Sequence, residues 1–74
     1  MLHIGKLIEL EMQRQGRSVS WLASKLFYER TNIYSIFKRE SIDTQLLLRI
    51  SKLLNHNFFK YYSNEYESNE KHND

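Results

Sequence analysis

The chain contains neither cysteine nor proline. Without cysteine it has no disulfide staple and no thiolate site, so its stability must come from packing, and an intracellular setting is the default expectation. Without proline no helix boundary is fixed by a residue unable to donate, and boundaries are read from caps instead. A long apolar run is also missing. The amino-terminal stretch "MLHIGKLIELEMQRQ" is broken by Lys6, Glu9, Glu11 and Arg14, so it offers neither the apolar centre of a signal peptide nor a membrane-spanning length. A soluble, untargeted, cytoplasmic protein with no membrane partner is expected. No alternating run of four or more residues lies between turn signals, so no strand is expected either.

What remains is enough for one small core. A chain of 74 residues buries only about 60–65% of its unfolded surface and cannot support two cores. Charge is unevenly placed along it. From Ser63 to Asp74, Lys71 stands against Glu65, Glu67, Glu70 and Asp74 for a net −3, which leaves +5 of the overall +2 on residues 1–62. A basic body is compatible with a polyanion partner.

Apolar spacing divides the body into five short helices. Leu2, Ile4, Leu7, Ile8 and Met12 mark a first helix over about 3–15, closed by Gly16. Ser18 is the N-cap of a second, whose stripe is Val19, Trp21, Leu22, Ala23 and Leu26, ending near Phe27. A third spans about 30–38, with Ile33, Ile36 and Phe37 inward and Thr31, Ser35 and Lys38 opposite. Asp43 caps a fourth, the most apolar, carrying Leu46, Leu47, Ile50, Leu53 and Leu54. Asn57 caps a short fifth, "FFKYY". The segment 63–74, "SNEYESNEKHND", lacks apolar periodicity and is expected to be a disordered acidic tail.

Helices two and three lie only a few residues apart, the arrangement in which one helix braces and the next presents its amino end outward. Arg30, Thr31 and Asn32 at that end, with Ser35 one turn on, have the chemistry that reads base edges in a DNA major groove, where Arg forks onto guanine and Asn onto adenine. Ser18, Ser20, Lys25, Lys38 and Arg39 have the chemistry that grips phosphates. Tyr34, beside this face, either meets a thymine methyl or sugar or covers the flank of the first helix. Phe58, Phe59, Tyr61 and Tyr62 cannot all point inward on so short a helix, so this aromatic patch is expected either to form a homodimer interface or to close the base of the core. His3, His56 and His72 are scattered and make no metal-spaced cluster, so no metal site is expected. Nothing suggests a catalytic pocket, a cofactor or a small-molecule ligand.

Over about residues 4–62 the chain resembles the phage-repressor, Cro and XRE-type helix-turn-helix family. The resemblance is carried by "IGKLI", "SVSWLASKL", "RTNIYSIF" and "LLLRISKLLN", which follow the family's helices one to four without a gap. It implies an all-α, five-helix, lambda-repressor-like domain over residues 1–62 that binds double-stranded operator DNA, commonly as a homodimer, in transcription regulation. Three family features are replaced. The turn glycine falls on Phe27, which must adopt a left-handed conformation or reshape the turn. The glutamine that contacts phosphate falls on Val19. An Arg–Glu pair found in many members falls on Met12 and Phe37, which implies an apolar contact instead. A helix-turn-helix scaffold serving as a protein-interaction module without DNA is the alternative reading.

Overall fold

A computed structural model describes residues 2–72. Among them there are five α-helices and no strand: α1 Ile4–Gln15, α2 Val19–Leu26, α3 Arg30–Phe37, α4 Thr44–Leu54 and α5 Phe59–His72. Each of the first four stops where local chemistry dictates. Gly16 takes φ 71° after α1, and the amide of Arg17 returns to the Met12 carbonyl at 2.9 Å, which satisfies carbonyls the helix leaves open. Ser18 Oγ accepts from the Trp21 amide at 3.0 Å and Asp43 Oδ1 from the Leu46 amide at 2.9 Å, so the expected caps of α2 and α4 are formed. His3 caps α1 in the same way, its Nδ1 accepting from the Lys6 amide at 3.1 Å.

The inward stripes of all five helices meet in one core. Ile8, Leu22, Ile33, Leu47, Ile50 and Phe58 are among its fully buried members. Phe58 enters from the turn before α5, its amide donating to Ser51 Oγ at 3.4 Å. That placement corrects the expectation that Phe58 forms part of a dimer surface, because a ring with no exposed area is already spent on the fold. Tyr61 is half-buried, Phe59 is half-buried, and Tyr62 is exposed.

α5 is also longer than the expected "FFKYY". It continues to His72, so the segment expected to be disordered from Ser63 is helical through that residue, while Asn73 and Asp74 lie outside the described residues. The reason is that nucleating a helix is the costly step and extending it adds one bond per residue. Asn57 Oδ1 accepts from the Phe59 amide at 3.0 Å, Phe58 is anchored, and from Ser63 to His72 neither proline nor glycine interrupts the ladder.

Two joints hold the helices at fixed angles. In the first, the amino end of α1 abuts the carboxyl end of α3: the Ile4 amide donates to the Glu40 carbonyl and the Gly5 amide to the Arg39 carbonyl, both at 3.0 Å. The turn after α3 thereby satisfies two of α1's open amides, with the carboxyl end of one helix dipole facing the amino end of the other. The approach is so close that a Cβ on Gly5 would collide with the carbonyl oxygens of Ile36, Phe37 and Arg39. The second joint is polar. Glu11, 6% exposed, accepts from Arg14 Nε at 2.9 Å and from Gln15 Nε2 at 2.6 Å, and Gln15 Nε2 also donates to the Leu54 carbonyl at 2.8 Å. His56 Nδ1 lies 3.6 Å from Glu11, and His56 Nε2 shares a hydrogen bond of 2.8 Å with the Tyr61 hydroxyl. Donation by Arg14, then by Gln15, holds the Glu11 carboxyl down at about 2 against burial. The network fastens α1 to the end of α4 and the start of α5.

Candidate nucleic-acid interface

α3 is eight residues long and too short to hold its shape alone. It is held by what it buries: Ile33, Ile36 and Phe37, at 0, 3 and 8% exposure, occupy one side. The spacing that turns these three inward turns Arg30, Thr31, Asn32, Ser35 and Lys38 outward, and all five are exposed. Its start is unusual. Glu29 stands exposed at the N-cap position without a side-chain hydrogen bond, an acid at the positive end of the helix dipole. This acid belongs to the same surface as Arg30.

Two grooves flank the exposed ridge. On one side, Tyr28, Asn32, Ser35, Arg39 and Asp43 line a groove of about 380 Å³ between α3 and the start of α4. The structure thus brings together Asn32, Ser35 and Arg39 from the residues expected to touch DNA. On the other side, His3, Lys6, Glu9, Tyr34 and Lys38 line a groove of about 430 Å³ between α3 and α1. Lys38 therefore shares its surroundings with Lys6 of α1, a cation that the reading of the third helix alone did not select. Lys6 Nζ lies 3.4 Å from Glu9.

Tyr34 forms a wall of this second groove and of a smaller one that continues along α1 past Met12 and Arg17. It is 53% exposed and meets Phe37 edge-on with ring centroids 6.1 Å apart, so it is braced within α3 while the rest of the ring stays in solvent. Met12 and Phe37 are both buried and line that smaller groove together, an apolar junction where an ion pair would need compensation for lost hydration.

The remaining expected contacts lie on α2, which packs against α3. Ser18 uses its oxygen as a cap acceptor and retains its hydroxyl proton as a donor. Ser20 and Lys25 are exposed. Arg17, just before the cap, is held with its guanidinium 4.3 Å from the centre of the Trp21 ring, a cation–π pair that fixes a positive charge beside the amino end of α2. Between α2 and α3, Phe27 takes φ 59°, ψ 41° and is 90% exposed. An L-residue in this region costs about 1–2 kcal/mol, and the ring recovers nothing by burial. The residue therefore bears the strain of the turn.

Sequence reasoning missed the two joints. Glu11 could have been found: with Ile4, Ile8 and Met12 it falls on the core face of α1, where a carboxylate requires partners. Gly5, in the first turn of a helix with no cap role, was the other signal. Comparison with protein-family models, with curated proteins and with solved structures gave no match.

Proposed function

We propose that this chain is a sequence-specific double-stranded DNA-binding protein of the repressor-like helix-turn-helix kind, acting in the cytoplasm as a homodimeric transcription regulator. The observation that carries the reading is α3 itself: a short helix pinned by three buried apolar residues and end-stopped by α1, presenting Arg30, Thr31, Asn32 and Ser35 between two grooves that include Lys6, Lys38 and Arg39. Short polar and guanidinium groups at the amino end of such a helix suit base edges, and cations on its flanks suit the phosphates on either side of a major groove. Phe27 supports it further, since it adopts the left-handed conformation that the turn of this family asks of a glycine.

The reading is tested by fluorescence anisotropy on sites selected from a randomised duplex pool. Arg30→Ala should cost about 1–3 kcal/mol on the selected site and relax preference at one position, whereas Lys38→Ala should weaken all sequences alike and reduce the salt slope by about one. Unchanged affinity and preference in Arg30→Ala would remove base reading by α3. A protein-interaction module is the second reading, and the bare Phe27 ring favours it, because an exposed aromatic side chain on a strained backbone marks a contact surface. Failure to be retained on heparin or random duplex at low salt would select that reading.

A further inference from the structure

Five acidic residues lie in the basic body, Glu9, Glu11, Glu29, Glu40 and Asp43, and the structure commits three of them. Glu9 pairs with Lys6, Glu11 pairs with Arg14, and Asp43 caps α4. Glu40 lies beyond the carboxyl end of α3, where its backbone carbonyl accepts from Ile4. Glu29 stands at the opposite end of that helix, next to Arg30. Its carbonyl accepts from the Asn32 amide at 3.0 Å, but its carboxylate makes no cap. Among the described residues no ion pair joins it to Arg30 or to another cation. Two neighbouring, exposed side chains of opposite charge therefore leave each other free.

A free carboxylate here opposes binding to duplex in general, because phosphates repel it and because it offers acceptors only. Guanine and thymine also present acceptors in the major groove. Adenine sets its N6 donor beside the N7 acceptor, a pair that suits an amide, whereas cytosine presents the N4 donor that suits a carboxylate. We propose that Glu29 is a specificity-determining residue, accepting from cytosine N4 at the base pair next to the one read by Arg30 and rejecting duplex that lacks cytosine there. The backbone allows this spacing. Consecutive Cα atoms stand about 3.8 Å apart, close to the roughly 3.4 Å between successive bases of one strand. Over any other base the carboxylate meets acceptors, and over the phosphate backbone it meets like charge. The acid thus gains selectivity by lowering affinity for every wrong sequence.

The inference rests on the reading of α3 as the DNA-reading helix and adds the base that one further residue selects. Selection from a randomised duplex pool, followed by fluorescence anisotropy, tests it on the full chain and on Glu29→Gln and Glu29→Ala. The unmodified protein should select cytosine beside the base whose preference Arg30→Ala removes. Glu29→Gln exchanges one acceptor oxygen for a donor and should move that preference to adenine, reversing the ratio of the two affinities by about fivefold or more. Glu29→Ala should flatten the position and bind random duplex about twofold or more tightly at low salt, a gain that fades as salt is added. Because Glu29 is exposed, helical circular dichroism should be retained in both variants. An acid serving only the helix dipole would alter affinity for all sequences alike and leave the selected base unchanged. If Arg30→Ala loses a base preference while Glu29→Gln keeps the original one, base selection by Glu29 is overturned and α3 remains the reader. If Arg30→Ala loses none, the reading of α3 falls and this inference falls with it.

Discussion

α3 and α5 divide the labour of the molecule in opposite ways. α3 has eight residues, buries three large side chains and is followed by a turn whose carbonyls are bonded by the amides of Ile4 and Gly5. α5 has fourteen, and beyond Tyr61 its described side chains through Ser68 are all exposed. The shorter helix is the firmer one. Length reports how far a backbone ladder continues uninterrupted, whereas position is fixed by burial and by what meets the helix ends. A surface that must present side chains at set angles is therefore built on α3, and α5 is free to reach outward.

If the contrast is sound, the most damaging change should be at the α1–α3 joint. Gly5→Ala places a methyl group against three carbonyls and should cost about 3 kcal/mol in denaturant unfolding. DNA affinity should fall even at temperatures where the variant stays folded, because α3 must shift. Next comes the polar joint, which holds α5 at its root. The Glu11 carboxyl is lowered from 4.5 to about 2 in the folded protein. Its contribution is therefore present above pH 4.5 and lost as pH falls toward 2. Glu11→Gln, followed by thermal unfolding from pH 7 to pH 2, should be destabilised by about 1–3 kcal/mol at neutral pH and approach the wild type only as pH falls to about 2.

A smaller effect of opposite sign is expected in the turn. Phe27→Gly removes an L-residue from φ 59° and should raise stability by about 1 kcal/mol in a chemical melt, part of the gain being lost to the extra freedom of glycine in the unfolded chain. The same variant sharpens the choice between readings, since unchanged DNA affinity would release the ring for a protein partner. The smallest effect belongs to the far end of α5. Ser68→Gly in the monomer should change global stability by less than about 0.5 kcal/mol, while amide exchange beyond Tyr62 should be accelerated.

The elements themselves were legible because their signals are local. Ser18, Asp43 and Asn57 each bring an acceptor to the amides of the following turn, and apolar spacing marked the inner faces of α1 to α4. The outward set on α3 followed from the same spacing, since Ile33, Ile36 and Phe37 settle which residues remain outside. What could not be read was what depends on distant partners. Gly5 meets carbonyls more than thirty residues away, Gln15 bonds to Leu54, and Glu11 lies beside His56. No local periodicity encodes these contacts. Ser63–His72 misled for the converse reason, because absent apolar periodicity speaks to packing and not to whether a started helix continues.

The α1–α3 joint has a consequence for the order of folding. Ile4 and Gly5 are made well before the oxygens their amides bond, which belong to Glu40 and Arg39. During synthesis the first helix waits, its leading amides hydrated, until the turn after α3 has been made and the intervening loop can close at an entropic cost that grows only slowly with its length. Closure then seats Gly5 and stops α3 in one event. The surface that would read DNA is completed by residues made more than thirty positions before the oxygens they bond.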